Sequence, residues 1–195
     1  MIEKCAGVIT DWLISYGVIK KTDKELYSYA VYSICLTLSP LLLAIGFGVV
    51  MGCVRQSIMI IIPFMIIRKF SGGYHARHSW SCLIGSCLLL LLCIISSFRV
   101  QWGWGIILPT LGASVSLVCL SPIDSENRVL SSEEHSQYKK VTAVIVVIFL
   151  AVVMLFFRFQ AYTYSICTSI GMMLAAGLQY PCVFRVLRRS NEKTK

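Results

Sequence analysis

The chain has 195 residues, of which 57% are hydrophobic and only 14% charged, with a formal net charge of +9 and a mean hydropathy of +0.76. A soluble domain carries roughly 25% charged residues, so this composition excludes that class and indicates an all-α integral membrane protein. The positive charge calls for no nucleic-acid partner, because basic membrane proteins collect Lys and Arg in their cytoplasmic loops.

Residues 1–28 read as an N-terminal amphipathic segment. Ile2, Cys5, Ile9, Trp12, Leu13 and Tyr16 recur at near-helical spacing, with Glu3, Lys4, Thr10 and Asp11 largely elsewhere around the helix. Such a helix suits either the membrane interface or the side of a helical bundle. Glu3, Lys4 and Asp11 break up any continuous apolar core, so a cleavable signal is not expected. Lys20, Lys21, Asp23, Lys24 and Glu25 then form a charged link.

Residues 29–184 hold six apolar stretches, at about Tyr29 to Val54, Ser57 to Ile67, Cys82 to Phe98, Trp104 to Leu120, Val141 to Phe157 and Ala161 to Phe184. About six transmembrane helices are expected. The second stretch is short against the roughly 20 residues a span needs, and is expected to borrow its flanks or tilt. Pro40, Pro63 and Pro109 fall inside spans, where kinks are expected, and Trp102, Trp104, Tyr162 and Tyr164 suit the interface. Residues 185–195 form a basic tail.

Every Lys and Arg except Arg55, Arg99 and Arg158 lies before the first stretch, between the second and third, between the fourth and fifth, or after the sixth. The positive-inside rule therefore places both termini, and the loop from Arg68 to Cys82, on the cytoplasmic side. Of the nine cysteines, Cys35, Cys53, Cys87, Cys93, Cys119 and Cys167 lie in apolar stretches and are expected to act as small hydrophobes.

Cys82 differs in its neighbours. The run RKFSGGYHARHSWSC, Arg68 to Cys82, sets two histidines and a glycine pair before a thiol. A thiol is a useful nucleophile only as the thiolate, which a base or a positive field must favour. On one continuous helix His75 would lie about 10.5 Å along the axis from Cys82, too far for proton transfer, whereas His78 would be its neighbour. Gly72 and Gly73 favour a turn instead, which would fold His75 back over Cys82. Both histidines stay candidates for the base on this reading. Ser79 is a candidate N-cap that would put Cys82 in the first helical turn, where free amides and the helix dipole favour a thiolate. Arg68, Lys69 and Arg77 suit either anchoring at the bilayer edge or recognition of a carboxylate. Asp124, in the next loop on the same side, is a candidate for orienting the base. No metal site is expected, since no paired-cysteine motif or fourth ligand accompanies His75, His78 and Cys82, and no cofactor is indicated.

Arg68, the Gly72–Gly73 pair, His75 and Cys82, in a six-span chain of this size, resemble the accessory gene regulator protein B (AgrB) family. The resemblance extends over nearly the whole chain, including the amphipathic N-terminal segment and the loop holding Pro122, Asp124 and Asn127. It implies a membrane cysteine endopeptidase that processes the precursor of a cyclic autoinducing peptide in Gram-positive quorum sensing. Cys82 would then be the nucleophile and His75 the general base, with Arg68 and Gly73 supporting the site and His78 a backup base. The implied partners are a small amphipathic precursor with an acidic C-terminal part, the lipid bilayer and a second copy of the chain. A peptide exporter without covalent chemistry is the alternative, and it predicts ionisable residues inside the spans.

Overall fold

The computed structural model describes residues 2–71, 79–122 and 131–180. They are all-helical, with no strand among them: α1 (Ile2–Ser15), a single 3₁₀ turn at Lys21–Asp23, α2 (Lys24–Val50), α3 (Val54–Ser71), α4 (Ser79–Arg99), α5 (Trp104–Leu120), α6 (Ser132–Arg158) and α7 (Tyr162–Gly177). Each of the six expected apolar stretches corresponds to one helix, α2 to α7. The boundaries differ where polar residues enter the helices.

Helix α2 begins at Lys24 and stops at Val50, because Gly52 takes a left-handed conformation (φ 66°) and turns the chain into α3. The short second stretch becomes an 18-residue helix by taking in Val54, Arg55 and Gln56 at one end and Arg68, Lys69, Phe70 and Ser71 at the other. Helix α6 starts nine residues before its apolar stretch. Ser131 Oγ accepts from the Glu134 amide (3.3 Å) while the Glu134 carboxylate accepts from the Ser131 amide (3.0 Å), a capping box that fixes the polar first turns as helix. Pro40, Pro63 and Pro109 each lie within a continuous helix.

Helix α7 is the axis of the bundle, packing against α3, α4, α5 and α6. Its residues suit that place, since Ser165, Thr168, Ser169, Gly171, Ala175 and Ala176 are small and buried, so neighbouring backbones approach closely. The tightest point is Gly171, where a Cβ would collide with the Ile60 carbonyl oxygen of α3 and meet Pro63 Cβ at 3.4 Å. Around this contact one core cluster joins Ile61, Phe64 and Ile67 of α3 to Leu90, Leu117, Val146, Met172 and Ala175.

The outer faces are apolar. Leu88, Leu92, Leu108, Val115, Val144, Val147 and Met154 are exposed, and only their backbone is bonded within the helices. Among the described residues, Glu133–Arg158 is long and apolar enough to cross a membrane, while α2, α4 and α5 carry shorter apolar helical runs. Of the two placements expected for α1, packing on the bundle is seen. Ala6 and Thr10 are buried as α1 packs on α2, whereas Ile9, Trp12 and Tyr16 of the apolar stripe face outward. Lys24 and Asp11 tie the two helices with an exposed ion pair at 2.6 Å. Of the cysteines expected to be small hydrophobes, Cys53 and Cys167 are buried and Cys119 is exposed on α5; all six are free thiols.

Two stability tests follow from these contacts. Gly171→Ala should destabilise the bundle by roughly 1–3 kcal/mol through overpacking against the α3 backbone, whereas Gly112→Ala, with nothing within 4 Å, should leave the thermal unfolding midpoint in detergent unchanged or raised. Ser131→Ala should remove about 1 kcal/mol from the start of α6, read as faster amide exchange confined to its first turns.

Candidate functional site

The two ends of the bundle are built differently. At one end the helices are joined by the short turns 51–53, 100–103 and 159–161, and Arg55, Arg99 and Arg158 stand exposed around it. A cavity of about 640 Å³ opens here between Gln56, Phe98, Gln101, Trp102, Phe157 and Tyr162, with Trp102 stacked on Phe157 at 5.2 Å. Its lining contains no cysteine, histidine or carboxylate. Its polar groups are the amides of Gln56 and Gln101 and the hydroxyls of Ser97, Tyr162 and Thr163.

The opposite end gathers the C-termini of α3, α5 and α7 and the N-termini of α4 and α6. Register between helices follows from contacts whose partners are named, because every α-helix rises by about 1.5 Å per residue. Helices α3 and α7 run parallel and meet at Ile60 and Gly171; equal steps along both bring Arg68 level with Gln179. Helix α5 runs parallel to them, and the Gln179 Nε2 donates to Ser121 Oγ at 2.8 Å. Helix α6 runs antiparallel, with Ser165 Oγ donating to the Val153 carbonyl (2.9 Å) and Phe70 of α3 facing Tyr138 at 6.2 Å between ring centroids, which sets Tyr138 and Thr142 on either side of the same level. Helix α4 is antiparallel to α7, with Ser97 against Cys167, so Gly85 is level with Gln179. Cys82 lies one turn nearer the end of the bundle, about 4.5 Å beyond that level, at the depth of Ser71.

This end is therefore a polar layer under an apolar core. Ser71, Ser121, Thr142 and Gln179 are all at most 2% exposed. Arg68 is half-buried and lays its guanidinium over the Phe64 ring at 5.8 Å, while Lys69 is exposed and reaches over Phe70 at 5.7 Å. Burying part of an arginine in this way lets its stem pack while the fork stays at the polar boundary.

The predicted site residues divide into three groups. Arg68 and Lys69 close α3 at this end, as the bilayer-edge and carboxylate readings both require. Cys82 lies in the first turn of α4, whose first residue is Ser79 itself, so Ser79 is helical rather than the expected cap; the placement of the Cys82 side chain lies outside the described residues. Gly72, Gly73, His75, Arg77, His78 and Asp124 also lie outside them, and with them the turn expected at the glycine pair. Among the described residues no three His, Cys, Asp or Glu side chains converge.

Sequence reading passed over Ser121, Thr142 and Gln179. Each is a small or neutral polar residue near the end of an apolar run. The available signal was Gln179, a carboxamide at the close of α7 one helical turn past two alanines, on a helix whose other polar residues are hydroxyls.

Comparisons with known proteins agree on one family. The model of the family described as accessory gene regulator B matches residues 6–179. A Clostridium perfringens (strain SM101 / Type A) relative named "Putative AgrB-like protein" is 23% identical over 94% of this chain and 90% of its own length. A Listeria monocytogenes (strain EGD-e) relative of the same name is 24% identical over 87% and 84% of the two chains, and one from Halalkalibacterium halodurans 22% over 98% and 93%. No solved structure matches the chain. The match across nearly all of the bundle, from α1 to the polar layer, makes the chain a member of the AgrB family, with a role in the accessory gene regulator system and an association with the membrane.

Proposed function

We infer that the chain is a membrane cysteine endopeptidase that cuts a small precursor peptide through a Cys82 thioester and closes the fragment into a thiolactone or lactone autoinducing peptide. The observation that carries this reading is the position of Cys82 in the first turn of α4, at the polar end of the bundle, within a turn of Arg68 in depth. Amides in the first turn of a helix lack intrahelical acceptors, and with the helix dipole they favour a thiolate and stabilise a developing oxyanion.

In this reading α2 to α7 cross the bilayer, α1 lies at its surface with Trp12 and Tyr16 outward, and the polar end faces the cytoplasm. The support is charge: Lys20, Lys21, Lys24, Arg68, Lys69, Lys139 and Lys140 fall on the Cys82 side, against Arg55, Arg99 and Arg158 on the other. These last three stand at helix ends, exposed, and not inside spans as a charge-coupled exporter would need. An acidic precursor made in the cytoplasm would be drawn to this basic face.

The chemistry then proceeds in balanced steps. His75 takes the proton from the Cys82 thiol, and the thiolate attacks the carbonyl at the cut point. The C–N bond breaks as the imidazolium returns its proton to the leaving amine, which carries off the C-terminal part. A thioester now joins the N-terminal part to Cys82. An internal Cys or Ser of that part attacks the thioester, giving up its proton to His75, and the Cys82 thiolate leaves; the ring closes without water. Cyclisation outruns hydrolysis when the internal nucleophile is held close and water is scarce, conditions that a site at the bilayer edge favours.

Purified protein in lipid nanodiscs, given its synthetic precursor, tests this. Cys82→Ala should reduce cleavage to background with folding intact, while Cys87→Ala, a thiol further along the same helix, should stay within about twofold of wild type; equal cleavage by Cys82→Ala contradicts the reading. His75→Ala should lower the rate by a factor on the order of 10²–10⁴, the contribution of a general base, and His78→Ala by only a few-fold. The opposite ranking would transfer the base to His78.

A further inference from the structure

We propose that the cavity at the end of the bundle away from Cys82 holds the headgroup of an anionic phospholipid, one whose phosphate carries an uncharged, hydroxyl-bearing substituent. The proposal goes beyond the endopeptidase reading and shares with it only the crossing of the bilayer by α2 to α7, which sets this end at headgroup depth. The cavity, of about 640 Å³, is open to the surface and draws its walls from α3, α4, α6 and α7. That volume suits a small organic group.

Charge selects the class of ligand. Gln56, Phe98 and Phe157 line the cavity, and Arg55, Arg99 and Arg158 are their immediate neighbours in the chain and are exposed. Consecutive Cα atoms are about 3.8 Å apart, and an arginine stem is long enough to bring its guanidinium to the mouth. All nine Asp and Glu fall at positions 3–25, 124–134 and 192, so the turns and helix ends around the cavity carry no carboxylate to neutralise these three cations. Three guanidinium forks without counter-charge suit a phosphate. Tyr162 and Thr163 line the cavity from the first turn of α7, whose N-cap is Ala161 and has no side-chain cap, and such a terminus also favours an anion.

The rest of the lining narrows the choice. An ammonium-bearing headgroup would meet three arginines and no acid. A headgroup of hydroxyls finds partners instead in the amides of Gln56 and Gln101 and the hydroxyls of Tyr162 and Thr163. A lipid rather than a free phosphate is indicated by α4. From the cavity wall at Phe98 the helix exposes Phe98, Ile95, Leu92 and Leu88 at spacings of three and four residues. That stripe spans about 15 Å, half of the roughly 30 Å hydrocarbon core. An acyl chain of one leaflet fits along it while the headgroup turns into the cavity.

Native mass spectrometry of the full chain in detergent, titrated with phosphatidylglycerol or phosphatidylcholine, tests this. Wild type should retain one phosphatidylglycerol with at least roughly tenfold preference over phosphatidylcholine. Replacing Arg55, Arg99 and Arg158 together by Gln should weaken that binding roughly tenfold, whereas the same charge change at Lys20, Lys21 and Lys139 should leave it within about twofold. Thr163→Phe keeps every charge and fills the cavity, so it should weaken binding to a similar degree and serves if the arginine variant fails to fold. Soluble glycerophosphoglycerol should bind on the order of 10²-fold more weakly than the lipid. No preference for phosphatidylglycerol, equal loss in the lysine variant, or equal binding of the soluble headgroup overturns the proposal. Displacement of the lipid by an equimolar synthetic cyclic peptide would make the cavity a peptide site and overturn it too. Precursor cleavage and protease protection of the helices, measured on the same protein in nanodiscs, report separately on the endopeptidase and membrane-crossing readings.

Discussion

The close approach of α7 to α3 at Gly171 governs the rest of the molecule. Because no side chain stands between Gly171 and the Ile60 carbonyl, the two backbones lock in one register over the length of the bundle. That register decides which residues share a depth: one step of slippage would move every level by about 1.5 Å. Arg68, Ser121 and Gln179 come to one plane, and Cys82 one turn beyond it, as a consequence of an absent Cβ some eight residues away on α7. In a bilayer, where burial of apolar side chains between helices gains little over contact with lipid, such small-residue contacts and buried hydrogen bonds are the available means of fixing register.

The division of labour along the helices follows from the same packing. Apolar side chains fill the middle, with Ile61, Phe64, Ile67, Leu117, Val146 and Met172 in one cluster. Charged groups gather toward the ends, where one end is closed by turns of three or four residues and the other carries the longer connections. Arg68, Lys69 and the start of α4 with Cys82 belong to the second. A reactive thioester formed there would sit between a basic aqueous face and an apolar core that excludes water, a setting in which an intramolecular nucleophile competes well.

Much of this was legible in the sequence, and the reason is periodicity. Six apolar stretches translate into six helices because an apolar run leaves few other options for a backbone that must bond to itself. Boundaries were less legible where polar residues continue a helix. The extra turns of α6 depend on Ser131 and Glu134 acting together, a local signal that a hydropathy reading overlooks, and α3 gains its length from Arg68 and Lys69, which look like loop residues by charge alone. Of the site, Arg68 and Cys82 stood out because their chemistry and spacing are unusual between apolar runs. Gln179, Ser121 and Thr142 did not, because their significance lies in sharing a depth across four helices. No linear pattern encodes that; it appears only once Gly171 has set the register.

The central claim is that Cys82 forms a covalent bond to the peptide, and the most direct measurement is intact-mass and peptide-mapping spectrometry of the protein quenched in acid during turnover with its precursor. A mass increase equal to the N-terminal fragment less one water is expected, confined to the tryptic peptide containing Cys82 and released by hydroxylamine as a thioester should be. An adduct on another of the nine cysteines, or efficient cleavage with no covalent species under rapid quench, would contradict it.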